Sequence, residues 1–238
     1  MYLDKDKFQS KLSGPDYYTV LSWLHELLPN TCYIEIGVRE GRSLALAASS
    51  RLSIGVDPDP RIVRIMPPQA TVVKSTSDEF FSSAYPQDLL ANQTFSLAFI
   101  DGMHLFDQVL RDFANLEKLG HRNSVVAIHD CIPQHEATSG RERNTAFFSG
   151  DVWKAVVGLK EWREDVSIAM VPTPPTGLCL VTNLDPNSAV LSANWATILS
   201  QYGLLTFGDY ERHYYKAIDS IENSVSGVTS WLNQTGLG

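Results

Sequence analysis

Short apolar runs alternate with amphipathic or polar segments along most of this chain. The runs are nearly continuous and rich in β-branched residues, which is typical of strands buried on both faces of a parallel sheet. The predicted strands are 32–38, 52–57, 71–74, 96–101, 124–128, 166–171 and 178–183. Between them, apolar residues recur at helical spacing. The predicted helices are 15–28, a segment from Arg42, 61–66, a segment from Glu79, 105–119 and 151–162.

This alternation predicts an α/β fold with a Rossmann-like, doubly wound sheet. We expect one domain over residues 1–238, with a cap helix in 1–30, the core in 31–183 and C-terminal helices in 184–238. Those last helices are predicted from apolar residues at helical spacing: Leu191, Trp195, Ile198 and Tyr202, and later Tyr214, Ile218 and Ile221.

Composition narrows the class of protein. The 238 residues are 44% apolar, which is ordinary for a globular protein, and the formal charge of −8 without a Lys/Arg cluster argues against a nucleic-acid substrate. The three cysteines are widely spaced, so neither a disulfide framework nor a zinc site is indicated. No membrane-spanning run or leader segment is recognisable, and we expect a cytoplasmic protein without a membrane partner. The oligomeric state stays open, a homo-oligomer included.

The first strand runs into a glycine turn, with Gly37 and Gly41 bracketing Val38 to Glu40. Glycines let a ligand approach the backbone, and free N–H groups at the start of the next helix would face it. The second strand ends in Asp57, whose carboxylate could accept hydrogen bonds from both hydroxyls of a ribose. A turn of this kind also occurs for packing alone, but together with Asp57 it favours an adenosine compound.

The motif E-I-G-V-R-E-G, starting at Glu35 and followed by a strand ending in Asp57, resembles motif I of the class I S-adenosylmethionine-dependent methyltransferases. It is one glycine short of a dinucleotide fingerprint. The resemblance implies that Glu35, Gly37 and Gly41 hold the methionine half of the cofactor and that Asp57 holds the ribose. It also implies that the last two strands form the antiparallel hairpin with which this fold ends.

In that family the end of the third strand reaches the adenine, so Ser77 and Asp78 are candidates to bind the base. Either could equally be a helix N-cap. Three predicted strand tips carry an aspartate, namely Asp57, Asp101 and Asp130. In a doubly wound sheet these tips line the ligand crevice. We therefore assign Asp101 to cofactor binding, and both Asp101 and Asp130 to catalysis.

The stretch FIDGMHLFDQVLRDF resembles the I-D-G-x-H signature of a methyltransferase subgroup that acts on sugars and other small-molecule hydroxyls. Phe106, Val109 and Asp112 fall on matching positions. The stretch VVAIHDC resembles the fifth strand of the same subgroup. The resemblance covers roughly residues 33–183.

Transfer to a hydroxyl requires a base, and His104 is the candidate because its pKa lies near neutrality. Asp101 would orient the imidazole. Alternatively, His104 caps the following helix or only hydrogen-bonds Asp130. In a regular strand His129 would point away from Asp130, and we expect it to be structural.

A second mechanism would use Mg²⁺ bound by Asp101 and Asp130, as in catechol-type O-methyltransferases. Cys131 stands at the third ligand position of that group, and a thiol is a poor magnesium ligand. The polar segment 131–150 is expected to be a substrate lid, in which Arg141, Arg143 and His135 are candidates to bind an acidic acceptor.

The sequence thus predicts an S-adenosylmethionine-dependent O-methyltransferase that acts on a small molecule or a saccharide. Two alternatives stay open: a Rossmann-type NAD or nucleotide-sugar enzyme, and a non-catalytic cofactor-binding module. Methylation of nitrogen is also open, although no Asn/Asp-Pro-Pro-Tyr motif follows the fourth strand.

Overall fold

The computed structural model describes residues 8–91, 93–214 and 219–237. Ile218, which contributes to a predicted C-terminal helix, lies outside these residues. No helix within the described ranges has the length and apolar character needed to cross a bilayer.

Seven strands form one sheet in the order β3-β2-β1-β4-β5-β7-β6. Strands β1 to β5 are parallel, whereas β7 runs antiparallel to both β5 and β6. The predicted fold class and terminal hairpin are therefore confirmed. The strands are β1 (Cys32–Ile36), β2 (Leu52–Asp57), β3 (Ala70–Lys74), β4 (Leu97–Ile100), β5 (Val125–His129), β6 (Ser167–Val171) and β7 (Leu178–Thr182).

Helices cover both faces of the sheet. They are α1 (Tyr17–Leu27), α2 (Ser77–Ser82), α3 (Tyr85–Leu90), α4 (Phe106–Leu119), α5 (Trp153–Trp162), α6 (Val190–Ala193), α7 (Trp195–Gly203), α8 (Phe207–Asp209) and α9 (Val225–Gln234). A single π-helical turn, Tyr210–Tyr214, follows α8. Side chains alternate along the strands, so the core divides into two clusters, one on each face. On β1, Ile34 belongs to the cluster with α4 and α5, and Tyr33 to the cluster with α1 and α9.

Three predicted helices differ from the structure. After the glycine turn the chain forms a 3₁₀ helix, Leu44–Ser49, with non-helical φ/ψ at Ala47. The Gln69 amide donates to the carbonyl of Ala47, an acceptor that a regular α-helix would use itself. Residues 61–66 are not helical, because the N–H groups of Arg61 and Val63 donate to carbonyls of the glycine turn. In the last predicted helix, Ile221 is not helical, because its N–H donates to the carbonyl of Met170 on β6.

Two other helices begin close to the predicted residues. The N-cap of α2 is Thr76, which forms a capping box with Glu79, so neither Ser77 nor Asp78 caps this helix. Asp16 caps α1 and Pro15 precedes it. In both places a side-chain oxygen satisfies N–H groups that have no partner inside the helix.

Candidate active site

A cavity of about 1050 Å³ opens at the carboxyl ends of β1, β2 and β4. It is bordered by the glycine turn, the tips of β2, β3 and β4, the start of α1, and the lid segment 131–150. Ligand crevices of doubly wound sheets lie at this edge, because the chain reverses its winding there. Most of the predicted site residues border it.

The glycine turn forms the floor of the cavity. Gly37 has φ +92°, and a Cβ there would overlap the backbone of Asp101 and come within 2.9 Å of the Gly102 Cα. Gly41 has φ +76°, and its Cβ would lie 2.8 Å from the Met66 side chain. Both conformations therefore favour glycine, and at Gly37 the space requires it as well. At Gly41 the nearby atoms are the ends of flexible side chains, and Gly41 does not border the cavity, contrary to its predicted role. The exposed backbone is the kind of cradle that a nucleoside-containing cofactor needs.

Glu35 differs from its predicted role. It is fully buried beneath the turn and is not among the residues that border the cavity. Its carboxylate accepts hydrogen bonds from the hydroxyls of Tyr33 (2.7 Å) and Ser43 (2.8 Å). Burial raises the pKa of Glu35 to about 8. In this structure Glu35 braces the turn from below.

Asp57 borders the cavity, but its carboxylate already accepts three hydrogen bonds. Oδ2 accepts from the N–H groups of Val38 (2.9 Å) and Arg39 (2.8 Å), and Oδ1 from that of Asp59 (2.7 Å). A carboxylate has about four lone-pair directions. The remaining direction could accept from one ribose hydroxyl, whereas binding both would require one of these bonds to be exchanged.

A cluster of hydrogen-bond acceptors borders the cavity beyond the tip of β3. The Gln108 amide nitrogen lies 3.1 Å from Ser77 Oγ, 3.1 Å from Asp78 Oδ1 and 3.0 Å from Asp112 Oδ1. An amide has only two N–H protons for these three acceptors, so the cluster can accept from a further donor such as an amino group. Burial raises the pKa of Asp112 to about 6. The sequence identified Ser77 and Asp78, but Gln108 was missed.

His104 also borders the cavity, and its Nδ1 hydrogen-bonds Asp130 Oδ2. Asp101 is therefore not its direct partner, contrary to prediction. Thr176 donates to Asp130 Oδ1 at 2.6 Å, so both carboxylate oxygens are held. His104 (φ +58°) and Asp130 (φ +63°) both have left-handed backbone conformations, which are unfavourable outside glycine and cluster at functional sites.

His129 takes part in the same network, which corrects the prediction that it points away. Its Nδ1 hydrogen-bonds Asp101 Oδ1 at 3.1 Å and lies 3.6 Å from Asp130 Oδ2. The left-handed turn at Asp130 brings the two side chains to the same side, which a regular strand would not do. The Tyr17 ring packs against His129 with ring centroids 4.1 Å apart.

The two histidines of this network differ in their protonation. Burial acts to lower the pKa of His129, but the carboxylates of Asp130 and Asp101 outweigh it and raise that pKa to about 10. The same opposition raises the pKa of His104 above its usual value. Burial acts to raise the pKa of Asp130, but the two imidazoles hold it well below its usual range. His129 is thus a buried imidazolium, and His104 is the imidazole that borders the cavity.

The predicted metal ligands do come together. One ligand atom each from Asp101, His104 and Asp130 lies within 4.8 Å of the others. However, both oxygens of Asp130 already accept hydrogen bonds, and the Cys131 thiol donates to the Ile128 carbonyl at 3.0 Å. Magnesium prefers an octahedron of oxygen ligands. Two carboxylates that already accept hydrogen bonds and an imidazole do not fit that requirement.

The lid segment brings Arg141, Arg143 and Phe148 to the cavity. Arg141 forms ion pairs with Asp107 (2.8 Å) and with buried Asp151 (3.2 Å), and these fix the lid to the start of α4. His135 does not border the cavity, and its Nε2 lies 3.1 Å from the carbonyl of Gln9. Of the three predicted lid residues, only the arginines therefore reach the site.

The sequence of the core matches the model of a known family. Residues 34–131, from β1 through the glycine turn to the end of β5, match the model of a family described as a methyltransferase domain. This match and the fold support a class I S-adenosylmethionine-dependent methyltransferase. No curated protein sequence matches it.

Solved structures of this methyltransferase fold are similar over most of the chain. One is the O-methyltransferase TomG from Streptomyces achromogenes, involved in tomaymycin synthesis, in complex with SAM: TM-score 0.53, 14% identity, 71% of this chain and 78% of that one. Another is the O-methyltransferase from Bacillus cereus in complex with SAH: TM-score 0.51, 14% identity, 70% and 81%. Cofactor-bound Rv0187 from MTB has a TM-score of 0.55, 13% identity, 74% and 83%. At these identities the likeness concerns the fold.

Proposed function

We propose that this methyltransferase transfers the methyl group of S-adenosylmethionine to a hydroxyl of a small molecule or saccharide, with His104 as the general base. One observation carries the proposal. An imidazole whose Nδ1 is held by a buried carboxylate borders the cavity, beside the tip of β4 and close to the glycine turn. Two of the similar structures are described as O-methyltransferases with SAM or SAH bound, which supports both the cofactor and the acceptor type.

The residues of the cavity fit the cofactor in three places. The glycine turn offers bare backbone, and Asp57 has one lone-pair direction left for a ribose hydroxyl. The acceptors around the Gln108 amide, namely Ser77, Asp78 and Asp112, can accept from an amino group such as that of adenine. When bound, the cofactor supplies an electrophilic methyl group on a sulfonium. Asp101, at the tip of β4, borders the same space.

His104 then removes the proton of the acceptor hydroxyl. Its Nδ1–H donates to Asp130, which leaves Nε2 as the proton acceptor and stabilises the imidazolium that forms. Thr176 fixes Asp130, and the positive charge that His129 carries near neutral pH balances one of the two carboxylates. Phe148 of the lid reduces the access of water to His104.

The two alternative functions would each require a different site. A dinucleotide-binding Rossmann enzyme needs a second glycine for the pyrophosphate, and this turn has Arg39 at φ +47° between its two glycines. A cofactor-binding module would not need a carboxylate-bound imidazole in its cavity, nor left-handed backbone at both His104 and Asp130. Catalysis therefore accounts for more of the geometry.

The test is calorimetric titration of the purified protein with S-adenosylhomocysteine and with NAD, repeated on Asp57→Ala. Asp88→Ala serves as the matched control, because Asp88 is exposed on α3. We expect micromolar binding of S-adenosylhomocysteine alone, weakened at least about tenfold in Asp57→Ala and unchanged in the control. Binding of NAD instead, or of neither ligand, would contradict the proposal.

An acceptor screen with labelled S-adenosylmethionine follows, run with EDTA and with added Mg²⁺. Because no metal participates in the proposed step, we expect the same rate under both conditions. Transfer that stops in EDTA and returns with Mg²⁺ would replace the histidine mechanism by a metal mechanism.

A further inference from the structure

Among the hydrogen-bond acceptors around the Gln108 amide, Asp112 is the one that is almost completely buried. Asp112 is 1% exposed, whereas the side chain of Asp78 is 56% exposed, and both residues border the cavity. Resting on the proposed function, we propose that Asp112 determines which base the cofactor carries. The site then takes a purine with an amino group at position 6 and rejects a purine with a carbonyl group there.

The order of the strands indicates which part of the cofactor reaches Asp112. The glycine turn follows β1, Asp57 ends β2, and Ser77 and Asp78 follow β3, which is the next strand along the sheet. The Ser75 N–H donates to the Asp57 carbonyl at 3.2 Å, so the tips of β2 and β3 are in direct contact. When the turn holds the methionine half and Asp57 holds the ribose, the base extends towards β3. It therefore meets the acceptors around Gln108.

The acceptors in this cluster outnumber the protons that their neighbours can donate. Gln108 supplies two N–H protons and Ser77 one O–H proton, whereas each of the two carboxylates has about four lone-pair directions. The Gln108 amide cannot be reversed, because Arg111 Nη2 donates to its Oε1. A reversed amide would also place Oε1 against three acceptors. This wall of the cavity therefore favours a ligand that donates.

Burial makes Asp112 a stronger discriminator than Asp78. Water reaches Asp78 and can satisfy its oxygens whichever base is bound, and Arg111 Nε lies 3.5 Å from Asp78 Oδ1. Little water reaches Asp112, so a carbonyl oxygen placed against it is repelled and neither oxygen gains a proton. Burial raises the pKa of Asp112 to about 6, so this group is an ionised acceptor above that pH. An amino group supplies the missing proton.

The experiment is a calorimetric titration with three ligands that differ at position 6 of the purine. S-adenosylhomocysteine has an amino group there, S-inosylhomocysteine a carbonyl group, and the corresponding purine-riboside analogue a hydrogen atom. The proteins are the wild type, Asp112→Asn, Asp78→Asn and Asp88→Asn, the last being the neutral control because Asp88 is exposed on α3. Asparagine keeps the shape of aspartate and replaces one acceptor oxygen by an N–H donor.

We expect the wild type to bind the amino ligand at least about tenfold more tightly than the hydrogen analogue. The carbonyl ligand should bind at least about a hundredfold more weakly than the amino ligand, because a repulsion is added to the lost hydrogen bond. In Asp112→Asn the ratio of amino to carbonyl affinity should fall at least about tenfold, since the new N–H group donates to the carbonyl oxygen. Asp78→Asn should change that ratio less than about threefold, and Asp88→Asn should match the wild type.

A second measurement needs no substitution at Asp112. A protonated Asp112 is itself a donor, so the affinity ratio of the wild type should fall when the pH is lowered from 8 to 5. The charged groups that face Asp112 are Asp78 and Arg111, and the same fall in Asp78→Asn would exclude titration of Asp78 as its cause. Both ligands share the ribose and the homocysteine, so titration elsewhere in the cavity cancels from the ratio.

Three results would overturn the inference: equal affinity of the wild type for the three ligands, a tighter binding of the carbonyl ligand, or an affinity ratio that is unchanged in Asp112→Asn. If Asp112→Asn did not fold, the wild-type titrations would decide, because a ratio that is constant from pH 8 to 5 also contradicts a reading of the base by Asp112. A wild type that binds none of the three ligands would instead remove the proposed function itself.

Discussion

At the scale of single residues, two left-handed positions define the reactive end of the cavity. His104 and Asp130 each leave a strand end with positive φ, and each pays conformational free energy of about 1–3 kcal/mol for it. The result is a hydrogen bond between side chains that come from different strand ends. It also turns His129 into the network, where it meets Asp101.

His104→Gln is expected to lower kcat by about 10²–10⁴-fold, because glutamine cannot accept the hydroxyl proton. In the wild type, kcat should rise with pH, since only the neutral imidazole is a base. The midpoint should lie above 6.5, because the carboxylates raise the pKa of His104. Steady-state rates from pH 6 to 9.5 measure both effects.

The control for this substitution is His121→Gln, because His121 precedes β5 at the opposite edge of the sheet from the cavity. It should leave the rate and the pH profile unchanged. If His104→Gln kept the wild-type rate and rising limb, His104 would be structural and another group would be the base.

At the scale of elements, the end of the lid also contacts the start of α4 directly. Asp151 Oδ1 accepts from the Phe106 N–H at 3.0 Å, and Gly150 (φ +62°) packs directly on the backbone of His104. A Cβ at Gly150 would overlap the His104 carbonyl and lie 2.8 Å from its Cβ. The end of the lid therefore sets the position of the base.

Gly150→Ala should lower kcat at least about tenfold, because the new methyl group displaces His104 from its position against Asp130. Gly140→Ala in the same lid is the matched control, since nothing lies within 4 Å of a Cβ there. The measurement is the rate beside the S-adenosylhomocysteine affinity. Wild-type rates in Gly150→Ala would show that the lid end and the base are not coupled.

The elements predicted from sequence succeeded where burial alone determines the pattern. All seven strands correspond to apolar runs, because a strand covered on both faces has few polar positions. The helix expected at 61–66 failed because its N–H groups bond to a distant turn, which is a tertiary effect. The helix α9 was missed because its apolar residues are separated by Ser, Thr and Gly.

Within the site, the sequence predicted that Gly37, Asp57 and Asp101 lie at one ligand crevice from their places after strands, and all three border the cavity. It missed Gln108, which occupies an ordinary helix position and reaches the cavity only because α4 packs beside the tip of β3. It placed His129 wrongly because nothing local reveals that Asp130 adopts positive φ. Hydrogen-bond partners that depend on an unusual backbone conformation can be identified only from the structure.

At the scale of the whole molecule, the buried titratable groups make stability depend on pH. The pKa of His129 is raised from 6.5 to about 10, so its contribution is present below pH 6.5 and is lost as pH rises towards 10. The pKa of Glu35 is raised from 4.5 to about 8, so the folded state holds this proton more tightly, and its contribution is lost between pH 4.5 and 8. Both groups therefore lower the stability of the fold as the pH rises.

Calorimetry should therefore show Tm falling by at least about 2–4 °C from pH 6.5 to 8.5. Glu35→Gln, which carries no titrating carboxyl, should reduce that fall, whereas exposed Glu26→Gln should not. A Tm that is constant or rises over this interval would contradict the assignment of buried protonated groups.

The contact between Tyr17 and His129 has a consequence for the smallest piece of chain that could work as an enzyme. Tyr17 stands near the beginning of the sequence, Thr176 lies in the β6–β7 connection, and the lid residues Arg143 and Phe148 follow β5. All four lie outside residues 34–131, the segment that the family model matches. A minimal enzyme cut to that segment would retain the glycine turn but lose the ring that packs on His129, the hydroxyl that fixes Asp130 and two lid residues that border the cavity.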